Sequence, residues 1–378
     1  MAAAAPALIG RMAESTLACG AAGVDFWTTA AGRPLDGLRW LELVADRRPP
    51  RWATPNRVVF EAPLARLRDF GGESGEREGS RARVSPTLLL PPQAGHDSCI
   101  VDFSPEQSQV RALRSIGLTR LWSLDWVGAT PATSDSTVDD YLAVIDRASE
   151  EIGSPLHLIG DCQGGWLAAI WAALHPERVR SLTIAGAPID FHAGDAVIGD
   201  WVALLPPDFY RAAVALGGGV LDGRFILNGF IGIKPENELA KQLGLAAHLA
   251  DPEHVGRYRA FEDWYKHTQD IAGTFYLWIV EHLFRRNSLI EGGLEIGGER
   301  VDLARIRCPL NLLAGAEDHI TPPAQVFAME AAASSRRVRR CISSGGHLGL
   351  FMGREALREH WPALLSDVAR PRRPRRSR

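Results

Sequence analysis

The sequence predicts an α/β fold in which a mainly parallel sheet is flanked by helices. Short apolar runs alternate with segments of helical spacing from residue 54 to about 190, and again after about 294. This alternation is typical of parallel sheets. The intervening stretch, about 190–294, has more aromatic residues and broken helical patterns, which predicts a mostly helical cap inserted over the carboxyl edge of the sheet. The third observation is an apolar run that ends at Gly160 and passes directly into helical spacing, as a strand–turn–helix does.

The elements of this fold can be placed in order along the chain. Two short edge strands are expected at 58–63 and 65–70, before an exposed loop at 71–83 that is rich in Gly, Ser and charge. Apolar runs then predict strands at 87–92, 120–126, 156–160, 181–186, 307–315 and 338–342. Helical spacing predicts helices at 105–116, 136–152 with Ser136 as the N-cap, directly after Cys162, and 354–368.

This pattern divides the chain into three parts. Residues 1–53 form an N-terminal extension without an assigned role, residues 54–369 form the α/β domain with its cap, and residues 370–378 form a basic tail. The tail holds six arginines, without which the net charge would be −9 instead of −3. We interpret it as a solvated, disordered tail, because no aromatic residue lies between the arginines. The alternative is an arm that binds polyanions, but nucleic acid is not an expected partner.

Composition indicates a cytoplasmic protein. The five cysteines, Cys19, Cys99, Cys162, Cys308 and Cys341, show no CxxC pairing. An odd, unpatterned set argues for a reducing compartment and against a disulfide framework or a metal site. No apolar run reaches the roughly 18 residues that a membrane span requires. The Ala-rich start has no basic region before it, so no signal peptide is expected.

The stretch Gly160-Asp-Cys-Gln-Gly164 matches G-x-S-x-G, the nucleophile elbow of α/β-hydrolases, with Cys162 in place of serine. The glycines are required because side chains two residues on either side of the nucleophile would collide with the strand and the helix. The sulfur would then lie at a helix N-terminus, where the dipole favours a thiolate. The alternative is that Cys162 is a small buried apolar residue beside a glycine turn.

Two further residues follow in the order that this fold requires. Asp318 lies just after a late predicted strand, and His347 lies just before the last helix. Taken alone, Asp318 could be a loop acid with Glu317 as a competitor, and His347 could be any of eleven histidines. The ordered set of nucleophile, acid and histidine is much more specific than any one of its members.

These positions predict the roles of a catalytic triad. His347 would take the thiol proton of Cys162, and Asp318 would orient the imidazole ring. The backbone N–H groups of Gln163 and of Gln93 or Ala94 would hold an oxyanion.

Two other histidines are left with two interpretations each. His96 either lines the oxyanion loop or closes a polar turn. His319 either hydrogen-bonds its neighbour Asp318 or faces solvent.

A cysteine nucleophile favours thioester substrates. When a thiol attacks a thioester, one thiolate replaces another of similar pKa, so acyl transfer from coenzyme A is nearly balanced in free energy. The acyl group also stays activated for transfer to a hydroxyl group if a cap excludes water.

The chain resembles polyhydroxyalkanoate synthases from about Thr54 to Val368, particularly the short kind that works with a partner subunit. The residues that carry the resemblance are Gly160-Asp-Cys-Gln-Gly-Gly165, Asp102-Phe-Ser-Pro-Glu-Gln-Ser108, Leu124-Asp-Trp126, Asp139-Asp-Tyr141, Ala187-Pro-Ile-Asp-Phe191, Glu317-Asp-His-Ile-Thr-Pro-Pro323 and Gly345-Gly-His-Leu-Gly-Leu350. The resemblance implies a Cys162–His347–Asp318 triad that moves hydroxyacyl groups from coenzyme A thioesters to a polyester chain, with no bound cofactor. It also implies a granule surface, a partner synthase subunit or a homo-oligomer as partners.

The sequence departs from the synthases in ways that keep alternatives open. The loop Gln93–Ser98 and the run after Gly346 look more like intracellular polyhydroxyalkanoate depolymerases, which share the fold and the cysteine nucleophile. Asp161 stands where the family has an aromatic or aliphatic residue, and a carboxylate there would raise the pKa of the thiol unless it is paired or points away. A non-catalytic relative that binds granules or a partner is the third alternative.

Overall fold

The computed structural model describes residues 34–71 and 84–368. The first 33 residues, most of the loop predicted at 71–83 and the basic tail lie outside the described residues. Eight strands form one sheet: β1 (Arg57–Glu61), β2 (Ala65–Asp69), β3 (Thr87–Leu90), β4 (Leu121–Trp126), β5 (Leu156–Asp161), β6 (Val179–Ala185), β7 (Leu310–Gly315) and β8 (Val338–Ser343). Their order across the sheet is β1-β2-β4-β3-β5-β6-β7-β8.

The α-helices are α1 (Pro34–Ala45), α2 (Gln109–Ser115), α3 (Val138–Ile152), α4 (Gln163–Leu174), α5 (Val197–Leu204), α6 (Pro207–Leu216), α7 (Gly223–Ile233), α8 (Pro235–Ala247), α9 (Pro252–Tyr265), α10 (Gly273–Trp278), α11 (Ser288–Glu291), α12 (Pro323–Ala332), α13 (Gly349–Met352) and α14 (Trp361–Leu365). Two segments of the described chain are π-helical, Ile279–Arg285 and Ala356–His360. Single 3₁₀ turns lie at Ser98–Val101, Pro131–Thr133, Pro176–Arg178 and Leu303–Arg305. Short two-stranded pairs join Asp102–Ser104 to Gln107–Ser108, Val220–Leu221 to Ile271–Ala272, and Glu295–Ile296 to Glu299–Arg300.

Strands β3 to β8 run parallel, and only β1 and β2 are antiparallel to their neighbours. Helices connect the parallel strands, as crossover connections require. The alternating pattern of the sequence therefore predicted the fold class correctly: the chain has the α/β-hydrolase fold.

The register of the parallel strands brings their carboxyl ends to one edge. Leu90 pairs with Gly160, Asp161 with Ala185, and Gly315 with Ser343. Loops that leave these strand ends are where open α/β sheets bind their ligands. The fold thus places the loops after β3, β5, β7 and β8 next to one another.

The helices differ in how much of their surface is buried in the core. Helix α4 is apolar nearly all round, and every residue from Gln163 to Ala173 is buried, as expected for a helix enclosed on all sides. Helix α3 is amphipathic and buries one face only. Asp146 of α3 accepts hydrogen bonds from Trp171 Nε1 at 3.0 Å and from Arg178 at 2.8 Å, which joins α3 to α4 and the turn that follows it.

Two predicted helix starts were wrong. Helix α3 begins at Val138 with Thr137 as its cap, not Ser136, because Asp140 accepts hydrogen bonds from both the amide and the hydroxyl of Thr137. The helix expected at 105–116 begins only at Gln109, where Ser108 caps it by accepting from the amide of Arg111 at 2.9 Å.

Contacts divide the described chain into two units, one of residues 34–50 and 224–268 and the other of residues 51–223 and 269–368. In the first unit, α1, α8 and α9 share an apolar cluster of Leu43, Leu245, Leu249, Val255 and Tyr258. The carboxylate of Glu262, which is fully buried, forms ion pairs there with Arg47, Lys241 and Lys266. Only part of the cap predicted at 190–294 belongs to this unit, and the predicted domain boundaries stay a prediction.

Candidate active site

Cys162 lies at a sharp turn between β5 and α4. Its backbone has φ 50° and ψ −120°, a conformation that residues with a Cβ rarely adopt. The turn is held by hydrogen bonds from the amide of Cys162 to the carbonyl of Ala185, at 2.8 Å, and from the amide of Gly165 to the carbonyl of Cys162, at 2.9 Å. Strain of this kind persists only where the surrounding structure enforces it, and it is typical of functional sites.

The glycines around Cys162 are required by close backbone contacts. A Cβ on Gly160 would overlap the carbonyl oxygen of Gly164, and a Cβ on Gly164 would overlap the carbonyl oxygen of Leu90. A Cβ on Gly165 would overlap the side chain of Ala187. The glycines two residues on either side of Cys162 are therefore required for steric reasons, as in a nucleophile elbow.

His347 and Asp318 form a buried pair. Nδ1 of His347 lies 2.8 Å from Oδ2 of Asp318, and the two side chains are 8% and 0% exposed. The other carboxylate oxygen, Oδ1, accepts hydrogen bonds from the amides of Ile320 and Thr321 at 2.9 and 2.8 Å. Asp318 is thus fixed by its own loop, and it fixes the ring of His347.

The thiol of Cys162 lies close enough to His347 to interact with its ring. Burial alone would lower the pKa of His347, but the charge of Asp318 and the interaction with Cys162 raise it well above its ordinary value. Because Nδ1 is bound to Asp318, Nε2 is the nitrogen available to the thiol. The three side chains that the sequence predicted as a triad are therefore brought together.

The loop after β3 reaches the elbow through side-chain amides. Nε2 of Gln163 donates to Oε1 of Gln93 at 3.2 Å, and Nε2 of Gln93 donates to the hydroxyl of Tyr141 at 3.1 Å. Gln163 is the first residue of α4, where an amide N–H has no partner within its own helix. The sequence predicted that this loop and Gln163 are neighbours, but it did not predict the Gln163–Gln93–Tyr141 chain. In the sequence, Tyr141 stood out only as part of Asp139-Asp-Tyr141, one of the motifs that carry the resemblance, and no role at the site was predicted for it.

The two ambiguous histidines lie in different surroundings. Nδ1 of His96 donates to the carbonyl of Ala94 at 3.0 Å, so the ring closes a turn within the loop. His319 is exposed, while the Asp318 carboxylate forms hydrogen bonds with His347, Ile320 and Thr321. These contacts favour the turn interpretation for His96 and the solvent-facing interpretation for His319.

Asp161 is fully buried at the end of β5. Its Oδ1 accepts a hydrogen bond from Nε2 of Gln109 at 3.3 Å, whereas its Oδ2 and Oε1 of Gln109 have no hydrogen-bond partner among the described residues. Burial raises the pKa of Asp161 well above its ordinary value, although the hydrogen bond from Gln109 and the charge of His347 act in the opposite direction. A protonated Asp161 adds no negative charge next to Cys162.

Replacing Asp161 by asparagine is expected to stabilise the protein. The raised pKa means that the unfolded chain loses this proton at lower pH than the folded chain, so wild-type stability falls as pH rises above about 4. Each unit by which folding raises this pKa can lower the free energy of unfolding by about 1.4 kcal/mol at high pH. Asp161→Asn removes this loss of stability, because asparagine does not ionise. Urea unfolding of both proteins at pH 4 and pH 8 checks this. The free energy of unfolding of the variant minus that of wild type should be at least about 1 kcal/mol larger at pH 8 than at pH 4. A difference between the two proteins that does not change with pH would contradict this prediction.

Among the described residues, Cys99, Cys162, Cys308 and Cys341 are free thiols. Within those same residues, no helix is both long and apolar enough to cross a bilayer.

Comparisons with known proteins agree with the fold and the resemblance. The chain is 28% identical over 272 residues to the poly(3-hydroxyalkanoate) polymerase subunit PhaC of Allochromatium vinosum, covering 70% of this chain and 75% of that protein. It is 26% identical over 322 residues to the protein of the same name from Haloferax mediterranei, covering 82% of this chain and 63% of that one. The enol-lactonase of Burkholderia xenovorans LB400 matches its fold with a TM-score of 0.50 at 15% identity, over 82% of this chain and all of that one.

The family model described as a protein of unknown function, DUF3141, matches residues 75–362. This match spans the sheet from β3 to β8, together with Cys162, Asp318 and His347. The chain is therefore a member of the DUF3141 family, with the α/β-hydrolase fold and with homologues among the PhaC polymerase subunits.

Proposed function

We propose that this chain is a hydroxyacyl transferase of the polyhydroxyalkanoate synthase type, with Cys162 as its nucleophile and coenzyme A thioesters as its acyl donors. The observation that carries the proposal is the position of Cys162 on a strained turn, where it interacts with a histidine that a buried aspartate holds. The names of the relatives supply the substrate class, since they are polymerase subunits for poly(3-hydroxyalkanoate).

The first half of the reaction forms an acyl-enzyme. Nε2 of His347 takes the thiol proton as the sulfur of Cys162 attacks the thioester carbonyl. The amide of Gln163 and an amide of the loop at Gln93 or Ala94 donate to the oxyanion. The coenzyme A thiolate leaves with the proton held by His347, and the hydroxyacyl group remains on Cys162 as a thioester.

In the second half the hydroxyl group at the end of the polyester attacks this thioester. His347 takes the hydroxyl proton and returns it to the sulfur, while Asp318 stabilises the imidazolium at each stage. The growing ester gains one unit, and Cys162 is again a thiol. No step requires a bound cofactor.

An intracellular depolymerase is the second candidate, and the loop after β3 favours it. Gln93 begins the polar run Gln93–Ser98, which looks more like the depolymerases, and its side chain contacts Gln163 at the elbow. The same residues would then cleave a polyester, with water or coenzyme A accepting the acyl group. A partner synthase subunit, a homo-oligomer and a granule surface stay predictions in either case.

The test uses purified full-length chain with 3-hydroxybutyryl-coenzyme A, following free thiol and product mass together. Sustained thiol release with oligomeric ester product supports the synthase. Degradation of amorphous poly(3-hydroxybutyrate) without polymer formation supports the depolymerase. If neither reaction exceeds that of the matched Cys162→Ala protein, both proposals fail for this chain acting alone.

A further inference from the structure

A second group of thiol, imidazole and carboxylate joins Cys341 of β8, the edge strand of the sheet, to Glu355 and His360 of the helical segment that follows. Sγ of Cys341 is 3.2 Å from Nδ1 of His360, and Nε2 of His360 is 2.7 Å from Oε1 of Glu355. Cys341 is half-buried, and the side chains of His360 and Glu355 are 20% and 39% exposed. The group involves none of the residues proposed for acyl transfer.

The carboxylate of Glu355 is fixed on its other side by Ser344. Both the amide and the hydroxyl of Ser344 donate to it, the amide at 3.0 Å. The hydroxyl and amide of Ser344, together with the hydrogen bond from His360, lower the pKa of Glu355 to about 2. Glu355 is therefore ionised at any ordinary pH and can only accept hydrogen bonds.

This ionisation determines the tautomer of His360. Nε2 must carry a hydrogen to donate to Glu355, so in the neutral ring Nδ1 is an acceptor. Nδ1 faces the sulfur, so the thiol of Cys341 donates to it. The ring is thus arranged as a base towards Cys341, and the carboxylate behind it stabilises the imidazolium that forms.

We propose that Cys341, His360 and Glu355 form a covalent modification site at which Cys341 reacts with small disulfides. The sulfur of Cys341 attacks one sulfur of the disulfide while its proton moves to Nδ1 of His360. A bond between the two sulfurs forms, the original S–S bond breaks, and the second half leaves as a thiolate that is then protonated. Cys341 is oxidised, and the incoming disulfide is reduced.

The other thiols show why the imidazole matters here. Burial and the charge of Glu355 raise the pKa of Cys341, so little free thiolate is present at neutral pH and the reaction depends on transfer of the proton to His360. Cys308 is also half-buried, and burial raises its pKa to about 11, but the groups that interact with its thiol are backbone groups of Cys308 and Leu182 rather than an imidazole. Cys308 is therefore the comparison thiol within the same molecule.

The segment that carries Glu355 and His360 exposes charges of both signs, Arg354, Arg358 and Glu359. Oxidised glutathione is a small, water-soluble disulfide and is the probe that we choose.

The experiment measures mixed-disulfide formation at each cysteine by peptide mass spectrometry. Full-length chain carrying Cys162→Ala is used, so that the proposed nucleophile does not consume the probe. Cys341 should react about tenfold faster than Cys308, or more, and His360→Gln should lower its rate about tenfold. Glu355→Gln, which leaves the ring in place but removes its charged partner, should give a smaller decrease.

Unfolding of a variant cannot explain a slower reaction of Cys341. Unfolding exposes thiols and speeds their reaction, and Cys99, which is 1% exposed, reports any such opening. The proposal is overturned if Cys341 reacts no faster than Cys308, or if neither substitution slows it while Cys99 stays protected. The experiment does not require acyl transfer, so its outcome is independent of the proposed function.

Discussion

Replacing Cys162 by alanine is expected to abolish release of coenzyme A from 3-hydroxybutyryl-coenzyme A, with a loss of about 10⁴-fold or more. The acyl-enzyme cannot form without the sulfur, and neither His347 nor Asp318 can replace it as the carrier. The fold should be kept, because alanine fits the space of cysteine and the turn is held by backbone hydrogen bonds of Cys162 to Ala185 and Gly165. The rate of thiol release and the midpoint of thermal unfolding measure the two effects.

Two matched variants make this result specific. Cys308→Ala removes another half-buried thiol, one outside the candidate site, and should leave the rate unchanged. Cys162→Ser keeps a nucleophile on the same turn, but it replaces a balanced thiol–thioester exchange by attack of a hydroxyl with a far higher pKa.

The same variants decide whether the chain is an enzyme. A granule- or partner-binding relative would keep its localisation in Cys162→Ala, and it would have no turnover to lose. Full residual activity in Cys162→Ala would remove Cys162 from the mechanism, and with it the proposed acyl-enzyme.

Local patterns in the sequence were enough to predict the sheet and the elbow. The glycines at 160 and 164 are needed by contacts within a few residues of the turn, and with Leu90 of the neighbouring strand. The order of Cys162, Asp318 and His347 could be predicted because each follows a strand whose carboxyl end must lie at one edge of a parallel sheet. The structure adds the hydrogen bond of 2.8 Å between His347 and Asp318.

Features that depend on long-range contacts were not predictable. Helix α2 starts late because the buried carboxylate of Asp102 binds the hydroxyl of Ser108 and the amide and hydroxyl of Thr54, which lies far back in the chain. The grouping of α1 with α8 and α9 likewise depends on the apolar cluster around Leu43 and Leu245. No short-range pattern encodes such partners.

Buried polar pairs were missed for the same reason. Asp161 meets Gln109, which lies 52 residues earlier in the chain, and Gln163 meets Gln93, 70 residues earlier. The sequence could show that Asp161 is unusual beside a nucleophile. It could not show that burial raises the pKa of its carboxyl, because burial is a property of the assembled sheet.

Replacing His347 by glutamine is expected to slow thiol release by about 10³-fold or more, because His347 is the imidazole that interacts with Cys162. Glutamine retains much of the volume of the ring but does not accept a proton at neutral pH. Asp318→Asn should cost less than His347→Gln, since the ring stays in place but loses the charge that stabilises its protonated form. Single-turnover measurements of acylation compare the three proteins directly, and a decrease below about tenfold for His347→Gln would assign the base to another residue.

The pH dependence of stability gives a second readout for His347 that does not involve the reaction. Its pKa is raised by folding, so its interaction with Asp318 stabilises the protein fully below about pH 6.5, the value for a free imidazole. This stabilisation is lost as pH rises through the raised pKa of the folded protein. Urea unfolding should therefore show that the free energy of unfolding of wild type decreases between pH 5.5 and pH 9. The corresponding decrease should be smaller for His347→Gln. A decrease of equal size in both proteins would mean that the charged pair is absent, and that the proton on His347 is not held by Asp318.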